Sequence, residues 1–376
     1  MKKIGVLCYS LTPSTVDLIE RIKNHLNNAS LNVVPLVKTE LYSKPDFDYV
    51  EPDNETKYFS FGKNKEENQL IKISFFKMYN LARNSDVVLS FGVQSFPCLL
   101  LSFFCKIFKT KLIIAHQTMS VIGESNKNKM VYFLKKLAIN NASAHIAQTP
   151  SSREVLHKIY GVKAIYDAYW DGGLSTLINL EDNESISSNE YVSDLKLLFV
   201  GSLIPLKNIE TIIKAIGVLS DKSHVTLNII GHDAQYPGWE KYLKEVAITE
   251  NVSHKVNFLG RKNLTEIIDY YKNSDVVLLP SIKEAWAKVM VEGAYYENAL
   301  ITSSVNGQSG YLVQDNVTGF VLEDSRDYVT LAERIETLDL NRGTLAEFKK
   351  EAKKYVINFS SELDEVEGYK LAIESV

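Results

Sequence analysis

Short runs of aliphatic and β-branched residues alternate with helix-length segments along this chain of 376 residues, and this alternation restricts the fold more than any other feature. Strands separated by helices pair in parallel as βαβ units, which build doubly wound α/β sheets. In the first half, the predicted strands lie at residues 3–9, 32–37, 86–92, 111–116, 144–149 and 163–169.

The same pattern starts again after a polar segment rich in Ser, Asn and acidic residues, with predicted strands at 195–201, 225–231, 255–260, 275–280, 299–303 and 319–323. We therefore predict an α/β protein of two Rossmann-like doubly wound domains that face each other across a cleft, with ligands at the strand carboxyl ends. The predicted parts are an N-terminal domain at 1–175, a linker at 176–194, a C-terminal domain at 195–355, and a terminal segment at 356–376 that crosses back to the N-terminal domain. This last segment is predicted to hold an amphipathic helix with a cap at Ser360 or Ser361.

Composition excludes several classes of protein. Hydrophobic residues make up 45% of the chain and charged residues 23%, which is typical of a globular protein. Cys8, Cys98 and Cys105 lie in apolar runs without the spacing of a disulfide framework or a zinc site, so we expect reduced core residues. The apolar run at the start, about six residues long, is shorter than a signal peptide requires, and no stretch is long enough to span a bilayer. We therefore expect a cytoplasmic protein.

Charge is distributed unevenly. Residues 1–170 hold 22 Lys and Arg against 14 Asp and Glu, a balance of +8, so the net charge of -4 leaves -12 for residues 171–376. A basic half suggests a surface that meets an anionic partner, such as a phospholipid layer or a phosphorylated acceptor. Nucleic acid is not favoured, because no basic and aromatic module accompanies the charge.

The segment that begins at Pro280 directly follows a predicted strand and holds two glutamates, Glu284 and Glu292, separated by seven residues. Eight positions along a helix correspond to a rise of about 12 Å, comparable to the reach from the sugar to the ribose of a nucleotide sugar. The residues from Lys288 onward are predicted to be helical. By spacing alone, a surface helix with two unrelated glutamates is the favoured interpretation.

These residues resemble the retaining GT-B glycosyltransferases of family 4, the glycogen-synthase-like group, and in particular the bacterial surface-glycan type. The family has a strand ending in Pro-Ser, then Glu, seven residues and a second Glu, and later a small-residue turn before a strand that begins Thr-Gly-Phe. This chain matches at Pro280, Ser281, the two glutamates, Gly307 and residues 318–320. The residues at 197–216 also match the first strand and helix of the donor domain. The resemblance covers 195–376 and is weaker over 1–170.

The resemblance implies a role for each matching residue in binding a sugar nucleotide. Lys207 stands at the phosphate-binding lysine, and Ser202 stands where the family usually has Arg, so Lys288, Arg261 or a group in the first domain would have to compensate. Glu284 is implied to accept hydrogen bonds from sugar hydroxyls and Glu292 from the ribose. The amides of Trp286, Ala287 and Lys288 would bind the diphosphate at a helix N-terminus. Ala285 and Ala287 replace family glycines, which leaves the donor sugar open.

The first domain supplies the remaining candidates. His116 ends a predicted strand and resembles the family's histidine near the reacting centre, although a lone histidine at a strand end is also compatible with a structural role. Gln117 follows it, and Ser10, Thr12 and Ser14 lie after the first strand, where they would serve an acceptor or a phosphate. Asp46-Phe47-Asp48 has the spacing of a metal site but lies in a polar loop without a predicted strand, so we expect no metal and no cofactor.

Residues 126–138 form a basic amphipathic pattern with two interpretations. Met130, Phe133, Leu134 and Leu137 share one stripe, beside Lys127, Lys129, Lys135 and Lys136. In one interpretation this helix lies on an anionic membrane, at the inner face. In the other, the stripe packs on the sheet and the lysines are solvated.

The predicted function is a retaining, metal-independent glycosyltransferase that moves a sugar from a UDP- or GDP-sugar to a glycan or polyprenyl-linked acceptor in surface polysaccharide or glycoconjugate synthesis. His116 and Glu284 are the predicted catalytic residues. Two alternatives stay open: a degenerate GT-B protein that binds another glycosyltransferase as a partner or chaperone, and a nucleotide-sugar 2-epimerase.

Overall fold

The computed structural model describes residues 1–11, 13–26, 29–37, 45–49, 58–59, 71–72, 75–92, 96–116, 129–169, 174, 194–220, 223–362 and 365–376. The chain forms two compact units, the first made of Met1–Trp170 with Leu363–Val376 and the second of Asp171–Glu362. Of the predicted linker at 176–194, only Asp194 is among the described residues.

The first unit contains a parallel sheet in the order β3-β2-β1-β6-β7-β8-β9. Its strands are β1 (Lys2–Ser10), β2 (Ala29–Val37), β3 (Asp48–Tyr49), β6 (Val87–Phe91), β7 (Lys111–His116), β8 (Ala144–Ala147) and β9 (Ile165–Asp167), and β4 (Tyr58–Phe59) pairs antiparallel with β5 (Ile71–Lys72). Its helices are α1 (Pro13–His25), α2 (Phe75–Arg83), α3 (Phe96–Phe108), α4 (Lys129–Asn141), α5 (Pro150–Lys158) and α12 (Glu365–Glu374).

Both faces of this sheet are covered because its strands carry apolar side chains on alternating sides. One face holds Ile113 and Ala115 in a cluster with residues of α1 and α12. The opposite face holds Leu112 and Ile114 in a cluster with residues of α2, α3 and α4. The three cysteines are free and buried within these clusters, which confirms that they are core residues.

The last helix of the chain belongs to the first unit. At Gly368 a side chain would begin 2.0 Å from the Asp167 carbonyl oxygen, so a residue without a Cβ lets α12 approach β9 closely. Tyr369 is fully buried, and its hydroxyl accepts a hydrogen bond of 2.7 Å from the Gln148 amide. The serines predicted to cap a terminal helix at 360 or 361 lie instead inside α11 (Arg342–Glu362) of the second unit, so that cap prediction was wrong.

The second unit contains a parallel sheet in the order β12-β11-β10-β13-β14-β15. Its strands are β10 (Leu195–Val200), β11 (Val225–Ile230), β12 (Val256–Phe258), β13 (Val276–Leu279), β14 (Ala299–Ser303) and β15 (Gly319–Leu322). Its other helices are α6 (Ile209–Gly217), α7 (Trp239–Thr249), α8 (Leu264–Lys272), α9 (Lys288–Tyr295) and α10 (Tyr328–Leu340).

All twelve strands predicted from the sequence are present, which confirms two Rossmann-like parallel sheets. The prediction that no strand supports Asp46-Phe47-Asp48 was wrong, because Asp48 begins β3 and pairs with Asn32 of β2. Among the described helices, none is both long enough and apolar enough to cross a bilayer.

Candidate functional site

The order of the second sheet reverses between β10 and β13, which are adjacent in the sheet although two strands, β11 and β12, lie between them along the chain. From β10 the chain continues to β11 on one side, and from β13 to β14 on the other, so the loops that follow these strands diverge. In open parallel sheets, ligands bind in the crevice at this point. The candidate site is therefore built from the loops after β10 and β13.

These two loops bring Lys207 and Glu284 together. Lys207 ends a short 3-10 turn (Pro205–Lys207), and Glu284 lies in the loop between β13 and α9. The Lys207 ammonium donates to the Glu284 carboxylate in a partly buried ion pair. The Ile282 amide also donates to the Leu206 carbonyl at 2.9 Å, which ties the two loops together through their backbones. The structure thus places side by side two residues that are 77 positions apart in sequence.

Asn208 positions the turn that carries Lys207. Its backbone is left-handed, with φ of 57°, a conformation that Asn tolerates better than most residues. Its side-chain nitrogen lies 3.0 Å from the Pro280 carbonyl oxygen and 2.5 Å from the Ser325 carbonyl oxygen. The Thr211 hydroxyl donates to its Oδ1 at 2.9 Å. This buried side chain therefore connects the loops after β10, β13 and β15.

Glu284 is held by the turn that follows β14. Its carbonyl oxygen accepts a hydrogen bond of 3.1 Å from the Gly307 amide, and Glu284 pairs with Asn306 in a parallel bridge. A Cβ on Gly307 would lie 1.9 Å from the Ala285 carbonyl oxygen. Glycine at 307 therefore permits a backbone approach that a side chain would prevent.

Glu292 lies on α9, whereas Glu284 precedes that helix, so the rise of about 12 Å along a helix does not describe their separation. Glu292 is 5% exposed. The Tyr271 hydroxyl donates to its Oε2 at 2.8 Å, and the Lys288 ammonium lies 3.3 Å from its Oε1. Burial, together with the Glu292 charge, raises the pKa of Tyr271 well above its usual value, so the tyrosine remains a donor.

One of the backbone amides at the start of α9 already donates a hydrogen bond within the protein. The Ala287 amide donates to Gln308 Oε1 at 2.9 Å, so a diphosphate bound at this amide would have to displace Gln308. The Trp286 ring is buried and stacks on Phe359 with the ring centroids 5.7 Å apart. Within the described part of the chain, Gln308 Nε2 and Trp286 Nε1 are buried donors without an acceptor.

Ser202 and Arg261 lie at the same carboxyl edge of the sheet. Ser202 follows Gly201 at the end of β10 and is partly exposed. Arg261 follows β12, is exposed, and forms no ion pair with any described residue. The Gly231 amide donates to the Gly260 carbonyl at 3.0 Å, which brings together the loops after β11 and β12. Arg261 is therefore separated by one strand, β11, from the loop that carries Ser202.

In the first unit, His116 ends β7 and is buried against His145 of β8. His116 Nε2 lies 3.0 Å from His145 Nδ1, and the Ile139 backbone also accepts a hydrogen bond from the His145 ring. Burial lowers the pKa of His145 to about 4, and burial and His145 together lower that of His116 well below its usual value. Both rings are therefore neutral at pH 7, and in the contact between them one ring nitrogen donates a hydrogen bond that the other accepts.

Three predicted acceptor-side residues can be located only in part. Ser10 is the last residue of β1, but its side chain is not among those described. Thr12 and Gln117 lie outside the described residues. Their acceptor role stays a prediction.

The Asp46 carboxylate of the Asp-x-Asp segment pairs with the Lys23 ammonium at 2.8 Å. Within the described residues, no group of three His, Cys, Asp or Glu side chains is placed to hold a metal ion. The absence of a catalytic metal stays a prediction.

Four residues that shape these sites were not predicted from the sequence: Asn208, Tyr271, Gln308 and His145. Each acts through a contact with a residue far along the chain; Tyr271 precedes Glu292 by 21 positions, for example. Only the left-handed tendency of Asn after a Pro-x-Lys turn offered a local signal.

Comparisons with known proteins agree with this geometry. Residues 181–355 match the family described as "Glycosyl transferases group 1". An uncharacterized glycosyltransferase of Methanocaldococcus jannaschii is 28% identical over 194 residues, which cover 49% of this chain and 48% of that protein. D-inositol 3-phosphate glycosyltransferase of Rhodococcus erythropolis is 26% identical over 224 residues, which cover 58% of this chain and 50% of that protein. The chain thus spans about half the length of these relatives.

Solved structures resemble the whole chain. The crystal structure of Anabaena Alr3699/HepE in complex with UDP aligns over 100% of this chain and 99% of that one, with a TM-score of 0.69 at 15% identity. A structure of the same protein with UDP-glucose aligns with a TM-score of 0.66 at 17% identity and covers 100% and 99% of the two chains. At this identity the likeness establishes the fold alone, which is the GT-B fold of two Rossmann-like domains.

Proposed function

We propose that this protein is a retaining glycosyltransferase that transfers a sugar from a nucleoside diphosphate sugar to a glycan or polyprenyl-linked acceptor in surface polysaccharide or glycoconjugate synthesis. The observation that carries the proposal is the Lys207–Glu284 pair where the order of the second sheet reverses. It combines a cation for a leaving phosphate with an acceptor for sugar hydroxyls. The group 1 match over residues 181–355, and the UDP and UDP-glucose bound by the structural neighbour, support this donor class.

Each side chain would contribute to a different part of the donor. The bond between the anomeric carbon and the diphosphate oxygen breaks as positive charge develops on the sugar and negative charge on the phosphate. The Lys207 ammonium stabilises the departing diphosphate, and Glu284 orients the sugar by accepting from its hydroxyls. Glu292, held by Tyr271, accepts from the ribose. The buried Gln308 Nε2 is a further donor for an anion at this edge.

The acceptor hydroxyl would attack from the face that the diphosphate leaves. Its proton passes to the departing phosphate oxygen, so the configuration at the anomeric carbon is retained without a covalent sugar on the protein. Neutral His116 would act as a hydrogen-bonding group at the donor sugar and not as an acid, because its pKa is lowered. No step in this sequence requires a metal.

The test is titration calorimetry with UDP, GDP and ADP, followed by a nucleotide-release assay with the sugar donors of whichever base binds. We expect one nucleotide to bind and Lys207→Met to weaken its affinity at least tenfold, because a contact to the diphosphate is lost. Glu284→Gln should lower sugar transfer more than nucleotide binding.

Lys349 provides a matched control. It forms an ion pair with Asp275 at 3.0 Å at the amino edge of the same sheet, and its side chain is 27% exposed against 24% for Lys207. Lys349→Met should leave nucleotide affinity unchanged. Equal effects of the two lysine substitutions, or unchanged transfer in both Glu284→Gln and His116→Ala, would contradict the assigned roles.

A second candidate is a degenerate GT-B protein that binds a partner instead of turning over a donor. Two observations favour it. Ser202 stands where the resembled family has a phosphate-binding arginine, and the Ala287 amide, which was predicted to bind the diphosphate, donates its hydrogen bond to Gln308 Oε1. Such a protein should bind none of the three nucleotides. The same titration therefore separates the two candidates.

A further inference from the structure

Helices α2, α3 and α4 lie side by side over one face of the first sheet. Their inward residues, among them Met78, Leu101 and Ala138, belong to a single buried cluster with the strands beneath. Their outward residues form what is here named the three-helix face: Phe75, Phe76, Phe103, Ile107, Phe133 and Leu137.

The three-helix face is unusually apolar for a surface. Phe76 is 69% exposed, Phe103 57% and Phe133 61%. Ile107 follows Phe103 by four positions, and Leu137 follows Phe133 by four, so each pair lies on one side of its helix. Exposed aromatic and aliphatic residues that recur on three adjacent helices indicate a surface that another apolar phase covers.

The exposed rings are supported from below. The Phe75 ring packs edge-on against buried Phe104 with centroids 4.8 Å apart, and Phe103 packs against the same ring at 5.8 Å. Phe76 stacks on Tyr79 at 6.4 Å. These contacts hold the rings in place, so little side-chain freedom is lost when the face is covered.

The charge on these helices identifies what covers them. The sequences of α2, α3 and α4 contain no Asp or Glu, and they contain six basic residues: Lys77, Arg83, Lys106, Lys129, Lys135 and Lys136. Lys106 and Lys136 are exposed and directly precede Ile107 and Leu137. By contrast, α7 in the second unit holds both Glu240 and Glu245. Aromatic side chains bordered by lysines suit the headgroup region of an anionic bilayer, where lysine stems extend toward the phosphates.

We propose that the three-helix face docks on an anionic lipid bilayer. The inference concerns the first unit and holds whether or not the second unit binds a donor. The proposed surface is larger than the single membrane helix predicted at residues 126–138, because α2 and α3 also contribute to it. In the structure α4 begins at Lys129, and Lys127 lies outside the described residues. Phe133 and Leu137 are 61% and 41% exposed, so these two members of the predicted stripe do not fit the alternative in which the stripe packs on the sheet.

The experiment is vesicle flotation of the full chain with phosphatidylcholine vesicles, with and without 30% phosphatidylglycerol, at low and high salt. The unmodified chain should float with the anionic vesicles and much less with the neutral ones. The double variant Phe103→Gln with Phe133→Gln should reduce the partition coefficient at least tenfold. Lys106→Glu with Lys136→Glu should reduce it by a similar factor, since each lysine near an anionic surface contributes about a fivefold change.

Matched controls come from the second unit. Ile248 and Ile357 are 64% and 44% exposed on α7 and α11, so Ile248→Gln with Ile357→Gln removes comparable apolar surface elsewhere. Lys241→Glu with Lys350→Glu introduces the same charge change elsewhere. Neither control should alter flotation. Because the substituted residues are exposed, circular dichroism and nucleotide affinity should be unchanged in every variant.

Several results would overturn the proposal. Equal flotation with neutral and anionic vesicles would show that the lysines do not contribute to binding. Unchanged flotation of the phenylalanine variant would show that the three-helix face is not the docking surface. If light scattering instead shows a dimer that the phenylalanine variant abolishes, with no flotation, the face is an interface between copies of the chain. A loss of nucleotide binding without a loss of flotation would count against the donor site alone.

Discussion

Glu292 receives donors from two directions, the buried Tyr271 hydroxyl on Oε2 and the half-exposed Lys288 ammonium near Oε1. A carboxylate has about four lone-pair positions, so both contacts leave acceptor positions free for the ribose diol that we propose it binds. The tyrosine fixes the orientation of the carboxylate, and the lysine offsets the cost of burying its charge. Contacts within the protein therefore set the rotamer of Glu292.

Tyr271→Phe tests whether this orientation matters. We expect the KM for the sugar nucleotide to rise about tenfold, or roughly 1.4 kcal/mol, while kcat falls less than threefold, because the ribose is distant from the breaking bond. Steady-state kinetics measure both. Tyr296→Phe is the control, since it removes a hydroxyl from the ring stacked on Tyr271 at 6.0 Å and keeps the bond to Glu292. Equal effects of the two variants would indicate general loosening of the core.

The buried histidine pair predicts a pH dependence of stability. The pKa of His145 is lowered from 6.5 to about 4 in the folded protein, so below pH 6.5 the unfolded chain binds a proton that the folded chain does not. Stability is therefore complete above pH 6.5 and falls as the pH drops toward 4, by about 3 kcal/mol from this group. Urea unfolding from pH 4 to 8 measures the loss.

His145→Asn should flatten part of that slope, whereas His254→Asn, at an exposed position, should not. If the slopes of the unmodified protein and His145→Asn coincide, the histidine pair does not control this pH range. Activity is a separate measurement, because a flatter stability profile alone says nothing about the role of His116 in sugar transfer.

At the scale of elements, the site depends on three loops that follow β10, β13 and β14. Asn208 joins the first two through the Pro280 carbonyl, and the turn at Asn306 and Gly307 joins the last two through Glu284. Loops on a rigid sheet position side chains well only when their backbones are tied to one another. These ties explain how Lys207 and Glu284 are brought together.

Gly307→Ala should break one of these ties. Its Cβ would lie 1.9 Å from the Ala285 carbonyl oxygen, so the two backbones must separate. We expect a loss of about 1–3 kcal/mol in the free energy of unfolding and a loss of nucleotide binding at least tenfold. Gly343→Ala, where a Cβ meets its nearest neighbour at 3.4 Å, should cost nothing in either measurement. Thermal unfolding and calorimetry with the bound nucleotide provide both values.

At the scale of the whole molecule, the two units carry different features. The second unit contains the ion pair where its sheet order reverses, and the first contains three helices without acidic residues. The excess of eight basic over acidic residues in 1–170 is therefore located partly on these three helices. Because the two features belong to different units and share no residue, we expect them to respond independently to substitution, which allows the proposed donor binding and membrane docking to be tested separately.

Most of the architecture could be predicted because it depends on local patterns. Continuous apolar runs such as residues 276–279 are strands buried on both faces, and the helix-length segments between such strands impose parallel pairing. The start of α9 at Lys288 was predicted for the same reason. The two residues of β3 were missed because so short a strand depends on pairing with β2 and not on its own composition.

The amino-acid sequence alone determined the two parallel sheets and the residue types at their carboxyl edges, because hydrophobic periodicity and chain connectivity are properties of neighbouring residues. Only the tertiary structure decided how those residues are used: that Lys207 pairs with Glu284, that Gln308 meets the Ala287 amide, that His116 contacts His145, and that six apolar side chains remain exposed on three helices. These contacts depend on distances between segments that are far apart along the chain. Packing determines those distances, and a local sequence pattern does not predict them.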